Sequence, residues 1–202
     1  MPEEVFFNLN EEKKERIITA AMVEFGKYGY ENSSTNRIVK ECGISKGSLF
    51  KYFKSKEELY FYLVELIFAE MTNEMEIWLT KISQDDVYQR IIDFCTLEMS
   101  WYVENPIKGS FIIKATSDSN TQIFKKLHKR FATDARNVYF QFLMSLDVDN
   151  KKEVADIIKW VIDGYNINFR KTINLNEKSL EEIKNDYMEG FTKYLKILQK
   201  GF

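Results

Sequence analysis

The chain has 202 residues, 45% hydrophobic and 30% charged, with a formal net charge of −2. That is enough apolar content to bury a proper core in one or two domains, and two cysteines 53 positions apart give neither a disulfide framework nor a metal-ligand spacing. Two prolines, eight glycines and no alternating apolar strands predict an all-α fold of long helices.

The amino terminus, MPEEVFFNLNEEKKE, is acidic and lacks the apolar run of a secretory signal. The most apolar stretch, Tyr60–Phe68, is interrupted by Glu65 and too short to span a bilayer. No membrane partner is expected, and a reducing cytoplasm is the natural home. A first helix is predicted around Glu11–Tyr28. Ser34 can then cap a short helix over Thr35–Glu41, and Gly43 offers the residue without a Cβ that a tight turn needs just past a helix end. Ser45 or Lys46 opens the next helix, and Phe53 closes it. Ser55-Lys56-Glu57-Glu58 has the form of a capping box at the start of a long helix.

Two short helices joined by a turn of a few residues form a helix-turn-helix, whose second helix enters the DNA major groove. Charge agrees. Residues 34–56 carry six cations (Arg37, Lys40, Lys46, Lys51, Lys54, Lys56) against one anion, Glu41, in a chain that is otherwise acidic. A local basic face of this kind neutralises phosphates; an ordinary solvated face is the plain alternative. Ile38, Val39, Cys42, Ile44, Leu49 and Phe53 have helical spacing and should form a small core with Ile17, Ala21, Phe25 and Tyr30. Cys42 is expected to act as a small buried hydrophobe.

The stretch GYENSSTNRIVKECGISKGSLFKYFKSKEELY resembles the amino-terminal DNA-binding signature of the TetR (tetracycline repressor) family of bacterial transcription regulators. The resemblance covers about a third of the chain. It implies a three-helix DNA-binding domain over residues 1–54 and a helical ligand-binding and dimerisation domain over 55–202, about nine helices in all. It also implies DNA contacts, position by position. Thr35 resembles the family's phosphate-binding hydroxyl. Lys46, Gly47 and Ser48 occupy the start of the recognition helix, with Lys51 and Tyr52 one turn on and Lys56 as a phosphate clamp. Phe50 stands where the family most often has tyrosine, so a phosphate hydrogen bond is missing or is replaced by a thymine-methyl contact. Arg37 could read a base, touch a phosphate or face solvent.

Beyond this unit, helices are expected over Ser55–Lys81, Asp85–Glu104, Thr121–Leu146, Lys151–Thr172 and Leu180–Gln199, with a short segment Ile107–Ala115. Asn150 and Ser179 are placed to cap the last two. Their stripes, Val154, Ile157, Ile158, Val161, Ile162, Tyr165 and Leu180, Ile183, Tyr187, Phe191, Tyr194, Leu195, Leu198, could be buried within one subunit. The resemblance favours a homodimer built through these last two helices. Aromatic residues make up 15% of the chain, and Trp78, Phe94, Trp101, Tyr102, Phe111 and Phe131 are candidates to line a cavity for a hydrophobic, aromatic or cationic small molecule. Core packing is the plain alternative for each. His128 is expected at the surface. No catalytic motif, glycine-rich phosphate loop or cofactor motif is present. The expectation is a homodimeric repressor that binds a palindromic double-stranded DNA operator and is released by a small-molecule effector. The alternative is a helical carrier or interaction protein that keeps the fold without binding DNA.

Overall fold

The computed structural model describes residues 2–82, 86–117, 121–130, 142, 146, 147, 149–172 and 178–200, apart from the side chains of residues 128, 170–172 and 180. Phe131 lies outside the described residues, as does most of the second half of the helix expected over Thr121–Leu146. Ten helices are described: α1 (Glu4–Phe7), α2 (Glu11–Asn32), α3 (Thr35–Glu41), α4 (Lys46–Tyr52), α5 (Lys56–Leu79), α6 (Val87–Glu104), α7 (Pro106–Ser117), α8 (Gln122–Arg130), α9 (Lys151–Thr172) and α10 (Leu180–Gln199). The described residues contain no strand, and none of their helices is long and apolar enough to cross a membrane.

Most boundaries follow from caps. Asn10 accepts from the Lys13 N–H to start α2, Ser45 from Ser48 to start α4, Asp86 from Gln89 ahead of α6 and Thr121 from Phe124 ahead of α8. At α10 the box is reciprocal: Ser179 caps Glu182, whose carboxylate accepts the Ser179 N–H in return. At α5 it is only half made. Ser55 accepts from the Glu58 N–H, but the Glu58 carboxylate takes the N–H of Lys54. Ser34 makes no side-chain cap at α3, contrary to expectation. Pro106 stands at the first position of α7, where a missing N–H costs nothing.

The chain divides into two compact units, Met1–Met71 with Asn105–Ala135, and Thr72–Glu104 with Arg136–Phe202. In the first, α2, α3 and α4 enclose Ile17, Ala21, Phe25, Ile38, Cys42, Leu49 and Phe53, all buried. Helix α7 lies along α2 at a close crossing. A Cβ at Gly26 would come within 3.1 Å of the Phe111 nitrogen and 3.3 Å of its Cα. The Phe111 ring, fully buried, sits 5.5 Å from Tyr60 and 6.2 Å from Phe25. Phe111, a candidate to line a cavity with core packing as the alternative, is packed in the core of the first unit. Helix α8 adds ion pairs from Lys126 to Glu57 (2.6 Å) and Arg130 to Glu65 (3.5 Å).

In the second unit α6 packs on α10. Tyr187, fully buried, donates to the buried Asn166 Oδ1 at 2.6 Å, and Tyr165 donates to the Tyr187 carbonyl at 3.0 Å. Cys95 is buried beside them; burial pushes its thiol well above the ordinary range, and that of Cys42 is raised for the same reason.

Candidate nucleic-acid interface

The turn between α3 and α4 depends on Gly43, which holds φ +68°, the left-handed region that only glycine enters cheaply. Gly29 is a second such position. Its φ of 70° and ψ of 173° break α2 one residue after Tyr28, and the last turn of the helix is re-aimed toward α3.

The corner between α2 and α3 is tied by charged groups. Glu24, buried on α2, accepts the Arg37 Nε–H at 2.9 and 3.0 Å and the Ser34 N–H at 2.7 Å. Arg37 also donates to the Asn32 carbonyl at 2.9 Å, and its guanidinium lies 4.4 Å over the Tyr28 ring. Burial alone would raise the Glu24 carboxyl. The Arg37 and Ser34 hydrogen bonds outweigh it and hold the carboxyl below its usual range, while Arg37 is raised in turn. Arg37 is therefore a brace within the protein. Lys56 crosses the same corner: its ammonium donates to the Ser33 carbonyl at 2.9 Å and sits 4.5 Å over the Tyr30 ring. Burial lowers its ordinary ionisation range. One Lys56 N–H is thus committed inside the protein.

Helix α4 is two-faced. Leu49 and Tyr52 are buried on one side, with Phe53 just past its end. On the other side Lys46, Gly47, Phe50 and Lys51 are exposed, in register one turn apart. Phe50 is 39% exposed, an apolar ring set between lysines. A Cβ at Gly47 would meet only the Ser45 Oγ, at 3.8 Å, so the backbone here is open to close approach. Ser48 lies at the edge, its hydroxyl 2.9 Å from that of Ser45. Thr35 is half-buried, with Asn36 and Lys40 exposed on the same short helix.

Tyr52 departs from the expectation of a free contact residue. It is 6% exposed, with its ring 6.1 Å from Phe6 and the Lys13 ammonium 5.9 Å away on its face. Its main task is packing. The sequence also gave no hint of what packs there: Phe6, on α1, is wholly buried 4.8 Å from Phe53 and 5.6 Å from Tyr62. The only available signal was the apolar run Val5-Phe6-Phe7 inside an acidic leader.

Of the predicted cavity residues, Trp78 and Phe94 meet edge to face at 6.1 Å, and Phe94 stacks on Phe142 at 4.4 Å. Trp101, buried two turns along α6 from Phe94, contacts the half-buried Tyr102 at 5.4 Å. Among the described residues no group of His, Cys, Asp and Glu is arranged to hold a metal ion.

An exposed, lysine-flanked second helix behind a glycine turn, with its inner face locked in a small core, defines a helix-turn-helix DNA-binding protein. Comparison with known proteins shows similarity to one family over this segment. Residues 17–63 match the profile described as bacterial regulatory proteins, tetR family, so there the chain is similar to the DNA-binding part of that family. An HTH-type transcriptional regulator of Staphylococcus aureus strain USA300 is 24% identical over 148 residues, 73% of this chain and 76% of that one. Among solved structures, a TetR family transcriptional regulator from Chloroflexus aurantiacus superposes with a TM-score of 0.74 at 24% identity, over 100% of this chain and 98% of that one. The regulator FadR from Bacillus subtilis, solved with stearoyl-CoA, superposes with a TM-score of 0.61 at 18% identity, over 88% and 96% of the two chains.

Proposed function

We propose that the chain is a homodimeric, ligand-responsive repressor that binds a palindromic operator. The observation that carries this reading is the outward face of α4: Lys46, Gly47, Phe50 and Lys51 present charge, open backbone and an apolar ring along one side of a helix fixed from behind. Lysines beside phosphates supply affinity, and the ring suits a thymine methyl. Ser48, Thr35 and the remaining N–H groups of Lys56 are assigned to flanking backbone contacts, and Tyr52 to fixing the helix.

One such helix reads few base pairs, so a two-fold pair is needed to present two of them about 34–36 Å apart. Exposed apolar residues on the last two helices support this pairing, and of the expected stripes Tyr194 is among them. Ile158, Ile162, Ile183, Tyr187, Phe191 and Leu195 are buried within the subunit, whereas Trp160, Ile167, Tyr194 and Ile197 are exposed on α9 and α10. These four, with the open Gly164 between Trp160 and Ile167, are assigned to the dimer contact.

The effector is assigned to the second unit, near Trp78, Phe94, Trp101 and Tyr102, whose aromatic surface suits a molecule with a long apolar or aromatic part. FadR, a protein of the same fold, binds stearoyl-CoA. Helix α5 supplies residues to both compact units, which makes it the element through which effector binding shifts operator affinity.

Selection of duplexes from a random library tests the reading. The recovered sites should be inverted repeats with half-sites about one duplex turn apart, and Lys46→Ala with Lys51→Ala should abolish their preference over unrelated DNA. Recovery of no enriched sequence would overturn it. Stearoyl-CoA, as a probe of the effector class, should release the selected duplex and quench tryptophan fluorescence.

A further inference from the structure

The first residues of the chain form an arm with no assigned role. Pro2 and Phe6 are buried, and the arm rests on the carboxyl end of α4. Three contacts hold it there. The Glu3 N–H donates to the Tyr52 carbonyl at 2.9 Å. The Glu3 carboxylate pairs with Lys54 at 2.9 Å. The Phe6 ring fills the space between Phe53 at 4.8 Å, Tyr62 at 5.6 Å and Tyr52 at 6.1 Å.

Helix α4 has seven residues, too few to be stable by itself. Its last carbonyls have no partner within the helix, and the Tyr52 carbonyl is satisfied by the arm. The arm therefore acts as an external cap, and Phe6 as a wedge that sets how the helix lies on Tyr62 of α5. Nothing in the arm belongs to the outward face of Lys46, Gly47, Phe50 and Lys51.

We propose that Glu3 and Phe6 are positioning residues for DNA recognition: the arm splints the recognition helix from behind and sets operator affinity without contacting the operator. This rests on α4 being the DNA-reading helix. A splint of this kind should affect sequence-specific binding, which needs register to within an ångström, far more than charge-driven binding to any duplex.

The test uses the full chain and a duplex selected by the wild-type protein, with an unrelated duplex of equal length beside it. Phe6→Ala should weaken binding to the selected duplex at least tenfold while leaving the unrelated one within about twofold, and Phe6→Leu should restore most of the difference. Glu3 has φ −71°, which proline adopts without strain, so Glu3→Pro removes the N–H donor together with the exposed carboxylate that pairs with Lys54, and Glu3→Gln measures the loss of that charge alone. Glu3→Pro should cost about fivefold, the worth of one hydrogen bond, whereas Glu3→Gln, which keeps the N–H and loses only an exposed ion pair, should stay within about twofold of wild type. If Phe6→Ala loses its helical circular dichroism, the Glu3→Pro and Glu3→Gln pair decides alone. Wild-type affinity in both Phe6→Ala and Glu3→Pro overturns the proposal, as does an equal loss on both duplexes. Lys46→Ala separates the two readings. If it has no effect on the selected duplex, α4 is not the reading helix and the splint falls with it. If Lys46→Ala weakens binding and the arm variants do not, only the splint is wrong.

Discussion

The Glu24 carboxylate grips the Arg37 guanidinium through Nε at 2.9 and 3.0 Å, thirteen residues along the chain, and accepts the Ser34 N–H as well. One side chain of α2 thus fixes both the start and the side of α3. Replacing it with glutamine leaves Arg37 without its anion and a single amide oxygen for donors that two carboxylate oxygens now share. Arg37 is half exposed, so solvent recovers part of the loss, and Glu24→Gln should destabilise the protein by about 2 kcal/mol in urea unfolding at pH 7. Its pH dependence has a definite sign. The folded carboxyl lies below its unfolded value, so the unfolded chain holds the proton more tightly. The contribution is present above about pH 4.5 and is lost as pH falls through the folded value. Wild type and Glu24→Gln should therefore converge in stability toward acid pH, and a constant gap from pH 7 to pH 3 would contradict this.

Gly29 and Gly43 both carry positive φ, but they should not respond alike to substitution. At Gly43, with φ +68° and open space around a new Cβ, alanine meets only the left-handed penalty of about 1 kcal/mol. Gly29 is buried and has ψ 173° with φ 70°, a combination that side chains other than hydrogen hardly enter, so Gly29→Ala should cost about 1–3 kcal/mol. At this length about 2–4 °C of Tm accompanies each kcal/mol. Calorimetry of the two variants should show Gly29→Ala with the lower Tm.

What the sequence disclosed and what it hid divide along chain separation. Helix α4 begins and ends where Ser45 and Phe53 mark it, and α9 and α10 occupy the spans that Asn150 and Ser179 announce, because capping residues and helical spacing act over three or four positions. Arg37 could not be seen as the partner of Glu24, nor Lys56 as a donor to the Ser33 carbonyl 23 residues away, since no periodicity links such pairs. Phe6 was hidden for the same reason. Apolar spacing marks a residue as buried but does not name its neighbours, so Phe111 and Phe94 were grouped together although they belong to different compact units. The exposed face of α9 was missed because Trp160 and Ile167 interrupt a polar side, where no continuous stripe could form.

Gly26 reports on the joint between α2 and α7. Helices usually gain from replacing glycine, but here a Cβ would lie 3.1 Å from the Phe111 backbone nitrogen, and a backbone cannot swing aside as a flexible side chain can. Gly26→Val adds two further methyl groups and gains only about a few tenths of a kcal/mol of helix propensity, too little to offset the crowding. It should lower stability by about 1–3 kcal/mol. An unchanged urea midpoint would mean that α7 is held only loosely against α2.

Trp160 and Ile197 are each 69% exposed, more than any other large hydrophobic side chain described. A monomer can leave single apolar residues in water, but two such residues, with Ile167 and Tyr194 exposed on the same two helices, are a costly surface unless a second copy covers them. Trp160→Asp with Ile197→Asp should convert the protein from dimer to monomer in sedimentation at micromolar concentration. Its helical content should be kept, because neither residue contributes to the buried contacts of Tyr187 and Phe191. The same monomer should lose more than tenfold in affinity for an inverted-repeat duplex and bind a single half-site as the wild-type subunit does, since each α4 is untouched. A variant that sediments unchanged would remove this face from the dimer contact, and one that is monomeric yet binds the full repeat undiminished would show that pairing of subunits is not what gives the operator its affinity.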